Sequence, residues 1–282
     1  MSKIFTELSI VLVSFRSRKK IKQIISKIDK KFKIFVVENS NDKDLENKIN
    51  KRKNIFFLYP NYNKGFGAGL NYGINKVKTR YVLYLDIDTK INTGQIYKLY
   101  NKTIRTKNFG AITAKLKGQN YEDLILGTDK IYKMKYVKFN TGCVMMFEKK
   151  TFNKMGKFDE DFFLYFEESD YYKRCIDNNK KIYLFEKILI SHEGRGSIDK
   201  EFKKKYDILR NWHYCWSKFN YYFKHHGYFV AFSKTFPNLV KSLKGMILTV
   251  LFLNFYEFQK HLAEFKGILS AYLRLGSYYR IN

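Results

Sequence analysis

The sequence predicts an α/β fold in which a mixed, mostly parallel sheet is flanked by helices and followed by a helical C-terminal extension. Over residues 1–90, short apolar runs alternate with amphipathic stretches, which is the rhythm of parallel strands joined by helices. From Glu201 onward this alternation stops, and apolar residues recur at spacings of three and four, as on a helix. We therefore expect an α/β domain over residues 1–200 and a helical extension over residues 201–282.

The elements of the first part follow from apolar runs separated by polar or glycine-rich stretches. Runs such as "LSIVLVSF" and "RYVLYLDID" have the length and composition of buried strands. Between these runs, apolar residues recur at helical spacing. Strands are predicted at 8–15, 32–40, 54–59 and 80–88, and helices at 18–28 and 65–77.

The elements of the middle part are less regular. Residues 166–179 are predicted to form a helix whose acidic first turn suits the positive end of the helix dipole. A short helix over 149–156 is expected to end at Gly156. Strands are predicted for "FGAITAKL" (109–116), "KFNTGCVMMFE" (138–148), "KIYLF" and "ILISHEG".

The chain is strongly basic, with a formal net charge of +28 from 54 basic and 26 acidic residues. Lys, Asn, Ile, Phe and Tyr are abundant together, as the composition of an AT-rich genome would produce. We therefore interpret most lysines as solvated surface and expect no nucleic-acid partner. The positive field still favours anionic partners such as nucleotides, phosphates or an acidic membrane face.

The cysteines and the N-terminal apolar run indicate a cytoplasmic protein. Cys143, Cys175 and Cys215 are far apart and lack the spacing of metal ligands, which fits a reducing compartment without disulfides. The first apolar run is followed by "RSRKK" and not by a small-residue cleavage site. We therefore interpret this run as a strand and not as a signal peptide.

Two carboxylates, Asp86 and Asp88, end the fourth predicted strand. Residues two apart on a strand share a face, and ligands of open α/β sheets bind beyond the carboxyl ends of the strands. Two hard oxygen ligands at this edge suit Mg²⁺ or Mn²⁺, which would bridge to a substrate diphosphate. The alternative is a turn with helix-capping aspartates, because Thr89 and Asn92 follow.

A second acidic cluster, formed by Glu167, Glu168 and Asp170, follows an aromatic run. Carboxyl groups beside apolar bulk can have raised proton affinity and act as general bases. The alternative is a helix start matched to its dipole. His192 stands at the end of a predicted strand, next to Glu193 and Arg195, and an isolated histidine is more often structural than a ligand.

Six motifs follow one another over residues 7–215 and together resemble the family 2 glycosyltransferases of GT-A fold, a Rossmann-like nucleotide-diphospho-sugar transferase fold. The resemblance is strongest to the bacterial rhamnosyltransferase-like branch. It implies that residues 1–200 form a GT-A catalytic domain. The motifs are "SIVLVSF", "VVENSND", "NKGFGAGLNYGI", "LDID", "NTGCVMMFEKKTFNKMGKFDEDFFLYFEESDYYKR" and "SHEGRGS".

The resemblance implies a role for the residues that match each motif. The catalytic base would be Glu168, with Glu167 and Asp170 in the same cluster. The metal ligands would be Asp86, Asp88 and His192, binding Mg²⁺ or Mn²⁺. The donor nucleotide sugar would be bound by Ser14, Phe15, Glu38, Asn39, Lys64, Gly65, Asn71 and Asp86.

Three positions depart from the family pattern. Glu38 stands where aspartate is commoner, and Glu168 is one methylene longer than the usual base. "LDID" is a fuller metal motif than the asparagine-proline-aspartate of many members of this branch. The longer Glu168 affects the reach of the base and not its chemistry.

The resemblance implies an inverting glycosyltransferase that uses a single displacement. The donor would be dTDP-rhamnose or a UDP-hexose type of nucleotide sugar, and the acceptor a cell-surface or lipid-linked glycan. Two other interpretations stay open. A sugar-nucleotide nucleotidyltransferase would need a glycine-rich loop where "SFRSRKK" stands, and a non-enzymatic protein would bind membranes or polyanions through its charge.

The C-terminal segment from Tyr221 lies outside the family motifs and combines aromatic, apolar and basic residues. Its apolar run, Met246 to Phe255, is too short to cross a bilayer, which needs about 20 residues. We expect helices that lie in the inner face of the cytoplasmic membrane, with cations on anionic headgroups. A helical cap or a homo-oligomer contact is the alternative. The expected cations are Lys224, Lys234, Lys241, Lys244, Lys260 and Arg274.

Overall fold

The computed structural model describes residues 2–49, 52–193 and 198–280 of the chain. Ten strands form one mixed sheet in this described part. The strands are β1 (Leu8–Ser14), β2 (Lys33–Glu38), β3 (Ile55–Leu58), β4 (Tyr81–Leu85), β5 (Thr89–Lys90), β6 (Phe109–Leu116), β7 (Ile125–Asp129), β8 (Met134–Val137), β9 (Val144–Glu148) and β10 (Lys181–His192).

Helices connect many of these strands and make up the end of the chain. The helices are α1 (Ser2–Glu7), α2 (Arg18–Ser26), α3 (Asp44–Lys48), α4 (Phe66–Lys76), α5 (Thr93–Thr103), α6 (Lys149–Lys154), α7 (Glu167–Asp177), α8 (Lys203–His226), α9 (Tyr228–Leu251) and α10 (Phe255–Tyr272).

The order of the strands is β3-β2-β1-β4-β9-β6-β10-β8-β7, and β5 pairs with β10 outside this path. The strands β3, β2, β1 and β4 are parallel neighbours. β9 is antiparallel to both β4 and β6, and β6 is parallel to β10. Consequently β1, β2, β4 and β10 end at the same edge of the sheet, where ligands of open α/β sheets bind.

The predicted mixed, mostly parallel sheet with a helical C-terminal region is confirmed, although several elements differ in detail from the prediction. "KIYLF" and "ILISH" belong to one strand, β10, because the register shift between Phe185 and Leu189 interrupts the pairing without ending the strand. Glu193 lies beyond this strand, and Gly194, also predicted as strand, lies outside the described residues. The strand predicted at 138–148 begins only at Val144. The hairpin of β7 and β8 was not predicted, because its strands are short and only partly buried.

The described residues form two compact units, and each unit is made of three separate segments of the chain. The first contains the residues up to Lys64, Ala68–Phe158 and Glu168–Asp199. Its core consists of apolar side chains of the sheet and of the flanking helices, including Ile10, Leu83 and Ile96. This unit contains all ten strands.

The second unit contains Gly65–Gly67, Asp159–Glu167 and the chain from Lys200 onward. Helices α8, α9 and α10 pack on one another, around a core that includes Trp212, Trp216 and Phe219. None of the helices in the described ranges combines the length and the apolarity that a bilayer crossing needs.

Candidate active site

Asp86 and Asp88 lie in the turn between β4 and β5. Because β4 already ends at Leu85, strand alternation is not what places both carboxylates in one site. The turn is closed by hydrogen bonds from the backbone N–H of Thr89 to the carbonyl of Asp86 (3.0 Å) and from Ile87 N–H to Oδ1 of Asp86 (3.0 Å). The Asp88 side chain is only 1% exposed, whereas that of Asp86 is 29% exposed.

The aspartates of this turn do not cap the helix that follows. Asn92 is the N-cap of α5, and its side chain accepts the backbone N–H of Gln95. The Gln95 side chain in turn accepts the N–H of Asn92, which completes a capping box. The carboxylates of Asp86 and Asp88 are therefore not required by the helix.

His192 is brought to the two aspartates by the pairing of β5 with β10, in which His192 lies opposite Thr89. The imidazole Nε2 lies 2.9 Å from Oδ1 of Asp88 and 3.3 Å from Oδ2 of Asp86. One ligand atom from each of the three residues lies within 4.8 Å of the others. These are the three residues that the sequence predicts as metal ligands.

The electrostatics of the cluster follow from this geometry. Hydrogen bonds to Asp86 and then to Asp88 raise the pKa of His192 to about 10, against the opposing effect of burial. In this arrangement a protonated imidazole holds the two carboxylates together. A metal ion would take over that function, because it supplies positive charge to the same ligand atoms.

The donor set fits a divalent cation. Two carboxylates provide the hard oxygen ligands that Mg²⁺ and Mn²⁺ prefer, and an imidazole nitrogen is a ligand that favours a transition ion over Mg²⁺. Three protein ligands would occupy about half of a shell of about six positions. The remaining positions would be open to phosphate oxygens and water.

The ends of β1 and β2 carry the residues predicted to bind the nucleotide. Ser14 and Glu38 are paired in the parallel register, and the backbone N–H of Asn39 donates to the carbonyl of Ser14 (2.8 Å). The Glu38 carboxylate accepts hydrogen bonds from the Ser40 hydroxyl (2.5 Å) and from Asp42 N–H (2.6 Å). Burial raises the pKa of Glu38 above its usual value.

Phe15 and Lys64 are only partly buried, unlike Ser14, Glu38 and Asn39. Phe15 directly follows β1, is partly buried, and carries the Arg16 guanidinium 6.0 Å from its ring centroid. The ammonium of Lys64 lies 4.4 Å from the ring centroid of Tyr62 and donates to its hydroxyl (3.2 Å). Both residues therefore present surface that a ligand could contact.

Asn71 and Gly65, also predicted to bind the donor, have evident structural roles. The Asn71 amide donates to the carbonyl of Phe158 (2.8 Å) and accepts its N–H (3.1 Å), so both ends of the amide are used. Gly65 has a φ of +79°, and a Cβ there would lie 2.3 Å from the carbonyl oxygen of Phe163. Glycine is required at this position for steric reasons.

The three acidic residues at the start of α7 differ in their surroundings. Asp170 is fully buried, and its carboxylate accepts a hydrogen bond from Nε of Arg174 (2.8 Å). The same guanidinium also donates to the carbonyls of Met155 and Lys157. Glu167 is buried and falls in the second unit, whereas Glu168 is half-buried and falls in the first.

Glu168 and the aspartate turn are linked by the loop 140–143, which precedes β9. The carbonyl of Cys143 accepts the backbone N–H of Asp86 (2.8 Å). A Cβ placed on the neighbouring Gly142 would lie 3.4 Å from Cβ and Cγ of Glu168. The loop therefore contacts both the turn of the metal cluster and the predicted base.

The anchor of this loop is Asn140, which sequence reasoning did not single out. Its amide donates to the hydroxyl of Thr113 (2.7 Å) and to the carbonyl of Ala114 (3.2 Å). Its amide oxygen accepts the hydroxyl of Tyr121 (3.1 Å). The signal was present as the "NTG" ahead of β9, but the partners of Asn140 come from distant parts of the chain.

The chain is similar to glycosyltransferases in sequence and in structure. The profile of Glycosyl transferase family 2 matches residues 9–175. The low-salt glycan biosynthesis hexosyltransferase Agl10 of Haloferax volcanii is 27% identical in an alignment of 198 positions, which covers 62% of this chain and 64% of that protein. The chain thus matches less than two thirds of that relative's length.

Solved structures share the fold at low sequence identity. The mannosyltransferase PcManGT of Pyrobaculum calidifontis, solved with GDP-Man and Mn²⁺, has a TM-score of 0.58 at 10% identity and covers 94% of this chain and 86% of its own. Residues 1–349 of S. aureus TarS, solved with UDP-GlcNAc, have a TM-score of 0.54 at 13% identity, and the match covers 98% of this chain and 94% of that one. GalNAc-T7, solved with UDP, GalNAc and Mn²⁺, has a TM-score of 0.54 at 12% identity, with 78% of this chain and 51% of its own covered. These neighbours confirm the predicted GT-A fold.

The family match covers more than half of the chain, and its span includes Ser14, Glu38, Asp86, Asp88 and Glu168. The chain belongs to glycosyl transferase family 2.

Proposed function

We propose that this chain is an inverting, metal-assisted glycosyltransferase that moves a sugar from a nucleoside-diphosphate sugar to a hydroxyl group of a glycan. The observation that carries the proposal is the loop 140–143, which contacts the turn of Asp86 on one side and Glu168 on the other. A metal cluster that suits a diphosphate and a carboxylate that suits proton transfer are thereby held by one segment.

Asp86, Asp88 and His192 would hold Mg²⁺ or Mn²⁺. The bound ion would supply positive charge at the departing diphosphate, which develops negative charge as the glycosidic bond breaks. Because Asp88 is nearly fully buried, its carboxylate has one main orientation available, towards His192. The chain would thereby present its ligand atoms in a fixed arrangement before the donor binds.

Glu168 would act as the general base. Its carboxylate would take the proton of the acceptor hydroxyl while the hydroxyl oxygen bonds to the anomeric carbon. The bond from that carbon to the diphosphate oxygen would break on the opposite face, which inverts the configuration. Asp170 is a weaker candidate because its carboxylate is paired with Arg174, and Glu167 remains the rival.

The nucleotide would bind at the ends of β1 and β2, beside Ser14, Phe15, Glu38 and Asn39, with Lys64 as a cation for the phosphates. For Gly65 and Asn71 we propose an indirect contribution, since both shape the backbone around the glycine-rich motif. Donor binding would then depend on these two residues through their backbone partners.

For the substrates, we propose a dTDP-rhamnose or UDP-hexose type of donor, as in the rhamnosyltransferase-like branch. A hexosyltransferase among the relatives is compatible with a hexose donor. The acceptor would be a cell-surface glycan carried on a lipid at the inner face of the cytoplasmic membrane. Residues 1–200 would form the catalytic domain, and residues 201–282 the extension that serves this location.

The test is a thermal-shift panel of nucleotide sugars with and without Mn²⁺, followed by a transfer assay with the best donor. We expect one nucleotide sugar to raise the unfolding temperature only in the presence of the ion. Release of the matching nucleoside diphosphate should then require an acceptor. A protein that binds no nucleotide sugar with either Mn²⁺ or Mg²⁺ would contradict the proposal.

A further inference from the structure

Helix α9 packs into the second unit with its small and polar residues. The Thr235 hydroxyl lies 3.2 Å from the hydroxyl of Tyr272 on α10, and the Asn238 amide oxygen accepts the ammonium of Lys218 on α8 (2.7 Å). A Cβ on Gly245 would lie 2.6 Å from the ring of His261. The buried residues of α9 are Ala231, Thr235 and Ser242.

The opposite side of the same helix is apolar and exposed. Its residues recur at spacings of three, four and seven and therefore share one face. This arrangement reverses that of a helix in a water-soluble bundle, in which the large apolar side chains point inward. We call this surface the α9 apolar face; it consists of Phe229, Phe232, Phe236, Leu243, Ile247 and Leu251.

The α9 apolar face continues into the turn between α9 and α10. Phe252 and Phe255 are largely exposed, and Leu253 is 91% exposed. The three side chains extend the apolar surface beyond the end of the helix. An apolar surface of this extent is unusual for a soluble monomer and indicates an interaction site.

Lysines line one flank of the α9 apolar face. Lys234, Lys241 and Lys244 are exposed and separated by seven and three residues, so they lie on one side of the helix. Helix α9 contains no Asp or Glu, and within residues 2–49, 52–193 and 198–280 none of the three lysines forms an ion pair. The flank is therefore a row of uncompensated positive charge.

We propose that the α9 apolar face and the adjoining turn dock on an anionic lipid surface, with the apolar side chains at the acyl boundary and the three lysines on the headgroups. The helix would lie in the plane of the interface, because no described helix suits a bilayer crossing. The proposal deepens the proposed function, in which the acceptor is carried on a lipid.

A second copy of this chain fits the surface less well. A twofold contact pairs the same patch on both copies, and would place the lysine row of one copy near that of the other. Such a contact would need acidic residues opposite the lysines. Helix α9 has none, and Glu257, in the first turn of α10, is paired with Lys260. Anionic headgroups satisfy the same lysines without this conflict.

The experiment is sedimentation of the full chain with vesicles of phosphatidylcholine, with and without phosphatidylglycerol, at low and high salt. We expect binding to the anionic vesicles at low salt and partial release at high salt. The double variant Phe252→Ser with Leu253→Asp should lose vesicle binding. Neither side chain is buried, so its unfolding temperature should match that of the parent.

Matched controls separate the surface from general effects of charge and polarity. Ile131→Asp changes a side chain of the first unit that is 85% exposed and should bind vesicles like the parent. Replacing Lys234, Lys241 and Lys244 by Gln should lower the partition coefficient about 100-fold, at roughly fivefold per lysine. Replacing the exposed Lys78, Lys130 and Lys150 by Gln should lower it much less.

Two results would overturn the proposal. One is a parent protein that ignores anionic vesicles at every salt concentration. The other is a dimer, detected by light scattering, that the Phe252/Leu253 variant abolishes while vesicle binding is absent; the surface would then belong to a second copy. Donor binding, measured without vesicles by the Mn²⁺-dependent thermal shift, tests the proposed function separately, so either can fail while the other stands.

Discussion

The Nε2 atom of His192 lies 2.9 Å from Oδ1 of Asp88, and the two residues belong to segments that meet through the pairing of β5 with β10. β5 has two residues, Thr89 and Lys90. This short strand directs the end of β10 towards the turn after β4. The metal cluster therefore depends on a contact between residues that are 106 positions apart in the sequence, Asp86 and His192.

Asp88→Asn should weaken Mn²⁺ binding and abolish metal-dependent donor binding. The substitution keeps the shape of the side chain but removes one of the two carboxylate charges among the three ligands. The loss of outer-shell partners alone costs about 10- to 100-fold in metal affinity, so we expect a loss of at least about 100-fold. Titration of the ion by calorimetry measures this change.

The control for Asp88 is Asp123→Asn, which alters an exposed aspartate of the first unit and should leave Mn²⁺ affinity unchanged. Without metal, the unfolding temperature of Asp123→Asn should stay close to that of the parent, whereas that of Asp88→Asn should be lower, because the buried contact with the protonated His192 loses its charge. Full transfer activity of Asp88→Asn in the presence of a chelator would rule out the metal site.

Glu168→Gln should bind the donor with normal affinity and lose transfer by a factor of about 10² to 10⁴, the range for removal of a general base. The amide has the size of the carboxylate, so packing against Gly142 should be retained. Donor affinity from the thermal shift and kcat from diphosphate release separate the two effects. Should Glu167→Gln show this pattern while Glu168→Gln turns over normally, the assignment has to be exchanged.

Asp170→Asn should reduce stability more than it reduces catalysis. Its carboxylate is fully buried and compensates Arg174, which is 21% exposed and also holds two backbone carbonyls. Removing one partner of a buried ion pair costs about 3 kcal/mol. We expect a clearly lower denaturation midpoint, with kcat per folded molecule near that of the parent.

Asp177→Asn is the matched control, because Asp177 forms an ion pair with Lys173 at the same spacing on α7, but in an exposed position. Exposed pairs contribute about 0–1 kcal/mol. Equal losses of stability in the two variants would contradict a structural role for the Asp170–Arg174 pair.

The sequence predicts candidate site residues best where they lie at the end of a strand or directly after it. Ser14, Glu38 and the turn of Asp86 follow apolar runs, and parallel strands bring such ends to one edge. The aspartate pair was predicted for a partly incorrect reason, because β4 ends before Asp86 and the turn, not the strand, arranges the carboxylates. The residues of the candidate metal site were thus easier to predict than the backbone geometry that brings them together.

Features that depend on distant partners could not be predicted from the sequence. Asn140 holds the loop 140–143 through Thr113 and Tyr121, and no local pattern reveals these contacts. Asn71 and Gly65 lie in a motif that resembles a ligand-binding one, yet the Asn71 amide bonds to the backbone of Phe158 and Gly65 packs closely against Phe163. The exposed apolar face of α9 could not be predicted either, because the spacing of apolar residues does not show which face of a helix is buried.

His213, in the second unit, provides a prediction about pH. It is fully buried on α8, with Nε2 2.8 Å from the carbonyl oxygen of Tyr279 and Nδ1 3.3 Å from the hydroxyl of Ser277. Its ring lies against Phe163, with centroids 4.6 Å apart. Burial lowers the pKa of His213 to about 3, and the charge of Arg280 acts in the same direction.

The stability of the second unit should therefore fall as the pH decreases below about 6.5, the usual pKa of histidine in an unfolded chain. Between that pH and about 3 the unfolded state binds a proton that the folded state does not. Each pH unit in this range therefore lowers the free energy of unfolding by up to about 1.4 kcal/mol. Above pH 6.5 the contribution is complete and constant.

Both tryptophans, Trp212 and Trp216, lie in this unit, so their fluorescence reports its unfolding alone. His213→Gln should flatten the dependence of the denaturation midpoint on pH between 4 and 6.5, whereas Phe163→Leu should lower the midpoint equally at every pH. A parent slope that persists in His213→Gln would show that another group titrates.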